Sequence, residues 1–434
     1  MKKKTIILSV GLLLSLLAAA WLIPDREPVA QSVPPVSLPR PLLKRHILQA
    51  SEVENPHLRE FLSEYEREIR ELIHSSETPG AAVAIVKDTT VIFLKGFGLR
   101  AVGSTDSVDS ETVFRLASVS KCFAPVLTGM LVEDHVLAWD DKIIQYVPDF
   151  ELKSREQTEK LNLRHILSHT VGLPYHTYTN LVEEGEDLHS MLLKLRDVNM
   201  INKVGTVYSY QNVAYSLISE VVHSATGKTY EQLMTERVFQ PLHMDHASIS
   251  YDSISQNHNV ALPHKHTRSG MIPTPIHSTY YNVAPAGGIN ASVSDMAQWI
   301  RALLGHRSDV IPDNVLDEVF TPVVKAPYKN RNFRKWMHPT GSFYALGWRV
   351  LTFREKTVFY HGGYVNGYRS ELAIDRSENL GVCVLTNVAG PLADNAVPIF
   401  YKCYQKYQDR IRAWDEAHTP ALAATDIPTT PASL

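Results

Sequence analysis

The chain has 434 residues, of which 44% are hydrophobic and 9% aromatic, and it carries a formal net charge of −3. That composition describes one large or two closely joined globular domains with ample apolar material for a core. The near-neutral balance and the absence of long basic runs argue against a nucleic-acid partner and give no reason to expect an acidic substrate.

The first residues, MKKKTIILSVGLLLSLLAAAWLIPDREP, set lysines before an apolar run from Ile6 to Ile23. That layout reads as an export signal over residues 1–24, with Ala18 to Ala20 able to end a cleavage site, or as an uncleaved membrane anchor through residues 5–23. Either way the lysines favour a cytoplasmic N-terminus and an exported body, periplasmic or otherwise extracytoplasmic and open to attachment at the inner membrane. Residues 25–50 are a Pro-rich linker (REPVAQSVPPVSLPRP).

The body, 51–416, opens with a helix announced by Asn55-Pro56, with Leu58, Leu62, Tyr65, Ile69, Leu72 and Ile73 on one face. GAAVAIV and VIFLKGFG follow as a hairpin of buried strands turning at Asp88 to Thr90. A long, mostly helical middle then gives way to strand-like runs at 344–353, 356–361, 367–375 and 380–387. Helical spacing returns over about 391–416, with Phe400, Tyr404, Tyr407, Ile411 and Trp414 in register. The expected class is therefore α+β: an antiparallel sheet built from both chain ends, flanked by N- and C-terminal helices, with a helical lobe inserted at about 125–300. Such a layout leaves a cleft between lobes for a small molecule. Residues 417–434 read as a disordered Pro/Thr/Ala tail. The three cysteines, Cys122, Cys383 and Cys403, sit in apolar surroundings and read as buried small hydrophobes rather than a disulfide framework.

Three short stretches carry chemistry. In FRLASVSKCFAP, Ser118 precedes Lys121 by three positions, and on a helix residues so spaced share a face. A desolvated lysine loses its proton and can then take one from serine, and a helix beginning near Ser118 would add positive potential. In VYSYQN, Tyr210 and Asn212 lie on a short loop before a helical run. A phenol with an ordinary pKa near 10 becomes a base only if cations hold its phenolate, and Lys121 would be one such cation. In FYHGGYVNGY, His361-Gly362-Gly363 is expected to end a strand, its glycines leaving backbone open to a ligand. Amides there, with that of Ser118, can form an oxyanion hole. Each stretch also has a plainer reading: a chance Ser-x-x-Lys, loop and core aromatics, a Gly- and Asn-rich hairpin.

In this order the three resemble the penicillin-recognising serine hydrolases: class C β-lactamases, D-Ala-D-Ala carboxypeptidases, and related esterases and D-aminopeptidases. The likeness extends to LRHILSHTVGLP, ATGKTYEQLMTERVFQPLHM and APAGGINASVSDMAQWI, and covers about residues 50–415. The resemblance implies an acyl-enzyme on Ser118, with Lys121 and Tyr210 sharing the proton transfers. Asn212 would bond the substrate amide or the Lys121 amine. His361 would supply positive charge or a hydrogen bond near a substrate carboxylate, Gly362 and Gly363 would open the strand, and the Ser118 and Tyr364 amides would bind the oxyanion. No metal or organic cofactor is implied, and the substrate would be a small molecule or peptide, peptidoglycan-derived among the options. Whether β-lactam, D-amino-acid peptide or ester is not decided by any motif, since pocket shape lies in loops such as 175–203 and 251–283. The alternative is a catalytically inactive envelope protein of this fold that binds peptidoglycan peptides or a protein.

Two departures stand out. His-Gly-Gly replaces the Lys-Thr-Gly of class C β-lactamases, so strong β-lactamase activity is not expected. Because an ordinary histidine is largely neutral above pH 7, turnover of carboxylate-bearing substrates is expected to fall as pH rises through the His361 pKa. Val204 stands where the family's loop usually starts with proline, with little consequence expected. His165 and His169 are spaced i, i+4, without a third ligand in sight, and read as structural. His258, His264 and His266 read as a surface cluster in a polar loop.

Overall fold

The computed structural model describes residues 53–326 and 338–418. Residues 1–24 and 25–50, read as signal or anchor and as linker, lie outside them, as does the tail read at 417–434 except for Ala417 and His418, which end the last helix. Among the described residues no helix is long and apolar enough to cross a membrane.

The chain enters through helix α1 (Pro56–Ser75). Pro56 at its first turn costs no hydrogen bond, and the Asn55 side-chain oxygen accepts from the amides of His57 and Leu58 at 2.9 and 3.2 Å. Phe61, Leu62, Tyr65 and Ile69 are buried. They meet the last helix, labelled α5 (Pro391–His418), where Phe61 sits edge-on to Phe400 and Tyr404, each with centroids 5.4 Å apart. The same Asn55 donates through its amide nitrogen to the Ile411 carbonyl and Asp415, so one cap residue also ties the chain ends together.

Strands β1 (Gly80–Lys87), β2 (Thr90–Gly98), β3 (Val324–Lys325), β4 (Gly341–Tyr344), β5 (Arg349–Thr352), β6 (Thr357–Val365), β7 (Tyr368–Asp375) and β8 (Leu380–Thr386) form one sheet. Its order is β2-β1-β8-β7-β6-β5-β4-β3, antiparallel throughout, so the N-terminal hairpin joins the C-terminal meander through β1 and β8. The unbroken apolar run of β1 follows from burial on both faces. Ala81, Val83 and Ile85 pack toward α1 and α5, while Ala82, Ala84 and Val86 pack into the core of the helical side. The remaining helices lie between β2 and β3, among them α2 (Ala124–Glu133), α3 (Val213–Thr226) and α4 (Val293–Leu303).

Three details differ from expectation. The run 344–353 is a hairpin, β4 and β5, split at Gly347, whose φ is +76° and where a β-carbon would stand 2.3 Å from the Lys121 carbonyl. Strand β6 does not end at His361-Gly362-Gly363 but runs on to Val365, because every residue from Phe359 to Val365 pairs with β7. The turn comes two residues later, at Asn366-Gly367, both left-handed with φ +46° and +97°, as a two-residue hairpin loop demands. The segments 175–203 and 251–283 are also more ordered than loops, holding helices Thr179–Glu184 and Leu188–Lys194 and the ribbon His264–Thr267/Gly270–Pro273. That ribbon corrects the reading of His264 as a surface residue. It is 2% exposed, accepts from the Val102 amide at 3.0 Å, and its other nitrogen lies 3.3 Å from the Asn387 carbonyl.

Candidate active site

Ser118 and Lys121 lie on a 3₁₀ helix, Ala117–Cys122, and the α-helix begins only at Ala124. The α-helical start expected at Ser118 is thus absent. The tighter helix brings the pair together instead, because side chains three apart eclipse one another on a 3₁₀ turn. Lys121 is fully buried, and its Nζ has three oxygen neighbours: Asn212 Oδ1 and the Ala286 carbonyl at 2.8 Å, and Ser118 Oγ at 3.5 Å. Burial, with help from the Arg349 charge, holds its pKa well below the usual lysine value. A neutral amine has two N–H groups and one lone pair. Once deprotonated, Lys121 keeps its two N–H groups on the acceptors at 2.8 Å and turns its lone pair to the Ser118 hydroxyl, to which the protonated amine donates at 3.5 Å.

Loop Ser209–Asn212 delivers the next two residues. Asn212 sits directly ahead of α3 and is 4% exposed. The Tyr210 ring lies under Lys121, with Nζ 4.6 Å from its centroid, and its phenol is near enough to Ser118 for that hydroxyl to favour the phenolate. Burial pushes the Tyr210 phenol far above its ordinary value, outweighing the Ser118 hydroxyl and the Arg349 charge. The expected phenolate is therefore not the resting state: burial disfavours the charged form of both partners, so the phenol rests neutral and the amine is pushed toward its neutral form. The loop is itself held by His169, whose Nδ1 accepts from the Gln211 amide at 3.2 Å and whose carbonyl accepts from the Ser209 amide at 2.8 Å. His165 likewise accepts from the Asn162 amide through Nδ1, so both histidines of that pair serve the backbone. The Val204 amide donates to Gln157 at 2.9 Å, a bond a proline there would lack.

Strand β6 brings His361, Gly362, Gly363 and Tyr364 alongside the 3₁₀ helix. Gly363 faces it closely: a β-carbon would lie 2.4 Å from the Leu116 carbonyl and 3.0 Å from Ala117 Cβ. Gly362 faces the other way, where a β-carbon would strike Tyr360 and Glu371 at 2.6 and 2.8 Å. Tyr364 follows with its side chain 61% exposed. His361 corrects the expectation of a titrating cation. It is 1% exposed, Nε2 lies 3.2 Å from the Tyr344 hydroxyl, and Nδ1 lies 3.0 Å from the Gly362 carbonyl. Burial first, then the charges of Arg349 and Lys121, push its pKa well below 6.5, so the ring is neutral across the physiological range.

The permanent charge belongs to a residue that no sequence pattern singled out. Arg349, at the start of β5 and paired across the sheet with Tyr344 and Tyr360, holds its guanidinium carbon 5.9–6.0 Å from the ring centroids of Tyr208, Tyr210 and Tyr344. A lone arginine after Gly-Trp carries no signal in sequence, and the Ala286 carbonyl, being backbone, carries none either.

A family model described as Beta-lactamase matches residues 65–401, most of the chain. The chain belongs to the beta-lactamase family. Its α+β fold and serine-hydrolase architecture follow from that membership. Among curated relatives of this beta-lactamase-family chain, Protein flp of Staphylococcus aureus is 23% identical over 320 residues, 73% of this chain and 61% of the relative. Unguisins hydrolase ungD' of Aspergillus campestris is 25% identical over 338 residues, 75% of this chain and 61% of the relative. The chain thus spans about 61% of the length of these curated relatives. Among solved structures, the octameric penicillin-binding protein homologue from Pyrococcus abyssi superposes with a TM-score of 0.69 at 22% identity, over 80% of each chain, a likeness of fold.

Proposed function

We propose that this chain is an exported serine hydrolase that cleaves amide or ester bonds next to a substrate carboxylate through an acyl-Ser118 intermediate. The observation that carries the reading is the Lys121 amine, buried and pushed toward its neutral form, with Asn212 Oδ1 and the Ala286 carbonyl at 2.8 Å and the Ser118 hydroxyl at 3.5 Å. Nothing in a binding module requires a lysine so arranged.

In the proposed reaction the Ser118 proton passes to Lys121 as Oγ attacks the substrate carbonyl. The oxyanion forms between the amides of Ser118 and Tyr364, donors of a kind typically worth about a hundredfold or more in rate. The neutral Tyr210 phenol lies where it can hand a proton to the leaving nitrogen or oxygen and recover one from the Lys121 ammonium, closing the proton cycle. Water then attacks the acyl carbon, and Ser118 is released with its proton restored. Strand β5 ends its pairing at Tyr360, so among the described residues no strand pairs with the edge of β6 from His361 to Val365 on that side, where an extended substrate could lie. Arg349 supplies the fixed positive charge that His361 does not, which favours a carboxylate-bearing substrate such as a D-amino-acid peptide over a neutral ester. The N-terminal apolar run supports export, and a peptidoglycan-derived peptide would be the substrate met there.

Intact-mass spectrometry after exposure to a penicillin, a D-Ala-D-Ala peptide and an activated ester, beside Ser118→Ala, tests the proposal. An adduct or turnover lost in the variant is expected, and Arg349→Gln should weaken the peptide reaction more than the ester reaction. No adduct and no turnover with any reagent would favour a catalytically inactive binding protein.

A further inference from the structure

The residue before the nucleophile has an unusual backbone. Ala117 has φ +47°, the single alanine with positive φ among the described residues, where the others are mostly His, Asn, Asp and Tyr. A β-carbon in the left-handed region is strained and persists only where its surroundings impose it. Leu116, the residue before Ala117, is gripped on both sides: its amide donates to the Ile289 carbonyl at 2.8 Å, and its carbonyl accepts from Ser370 Oγ at 2.5 Å and from the Val119 amide at 3.1 Å. Ser370 is fully buried on β7, directly across from Gly363. That glycine leaves the gap through which the hydroxyl reaches, since a β-carbon at 363 would come within 2.4 Å of both Ser370 Oγ and the Leu116 oxygen.

We propose that Ser370 is a positioning residue for Ser118. By holding the Leu116 carbonyl it keeps Ala117 left-handed, and that conformation aims the next residue's amide and hydroxyl at the reacting carbonyl. Ser370 touches neither substrate nor nucleophile; it acts through two peptide units. The sheet that supplies the His361–Tyr364 edge thereby also fixes the turn carrying the nucleophile, so both donors of the proposed oxyanion hole are referred to one pair of strands. This inference rests on the acyl-Ser118 reading.

The test compares wild type, Ser118→Ala, Ser370→Ala, Ala117→Gly and the double variant Ala117→Gly/Ser370→Ala, in hydrolysis of 4-nitrophenyl acetate (kcat, KM and the acylation burst) and in thermal unfolding. Loss of the Ser370 hydroxyl should lower kcat and the burst rate about ten- to a hundredfold, the scale of a small misplacement of a reacting group, with KM changed less than about twofold. Because glycine adopts the left-handed conformation without strain, the double variant should recover part of that loss relative to Ser370→Ala. A Ser370→Ala protein that acylates at the wild-type rate overturns the inference, as does one whose kcat falls only in step with its folded fraction and gains nothing from Ala117→Gly. A wild type whose burst is unchanged by Ser118→Ala overturns the hydrolase reading itself, a result readily told apart from the other two.

Discussion

Replacing His361 by glutamine should alter how stability depends on pH while leaving the activity profile above pH 7 in place. The folded ring is buried with Tyr344, the Gly362 carbonyl, Arg349 and Lys121 around it, and its pKa lies well below 6.5. The unfolded chain has no such burial and takes up a proton near pH 6.5. Below that pH the unfolded state binds a proton that the folded state refuses, so the stability contributed by a neutral His361 is fully present above 6.5 and is lost as pH falls. For one such group the loss has a limiting slope of about 1.4 kcal/mol per pH unit, so between about pH 7.5 and 5.5 it is on the order of 1 kcal/mol. His169, fully buried and likewise lowered, adds a similar slope, while the raised Glu371 and Asp375 act in the opposite sense at lower pH. Comparing wild type with His361→Gln cancels those shared contributions. Urea unfolding at the two pH values should show the wild type losing on the order of 1 kcal/mol more than the variant. Equal losses in the two proteins would refute the reasoning. So would a wild-type activity that declines as pH rises through 6.5 and a variant that does not, for that is the behaviour of a titrating cation facing the substrate.

Other outcomes follow from the same geometry. Lys121→Met should keep the fold, since it exchanges a buried amine for an apolar chain of similar shape, yet lower the Ser118 acylation rate by at least about a hundredfold in stopped-flow assays, the scale of a lost general base. Gly363→Ala inserts a methyl into space held by Leu116 and Ser370, and should destabilise by about 1–3 kcal/mol in thermal unfolding while abolishing most activity.

Much of the fold was legible in the sequence. Asn55-Pro56 capped a helix, the GAAVAIV run became a buried strand, and the runs at 367–375 and 380–387 became strands β7 and β8. Each of these is governed by local sterics or by the period of burial, which a linear string records. The pair Ser118 and Lys121 was likewise readable, because three-residue spacing brings side chains together on either type of helix. What only tertiary structure decided is charge and partnership. Whether Lys121, Tyr210 and His361 carry charge depends on how much protein surrounds them and on Arg349, which is distant in sequence from the first two and enters the site through strand pairing. The carbonyls of Ala286 and Leu116 are chemically identical to every other carbonyl in the chain, and only their positions, set by the segment before α4 and by the sheet at Gly363 and Ser370, make them part of the site. Spacing can name the atoms that react, but the dielectric and the backbone placed around them are properties of the folded whole.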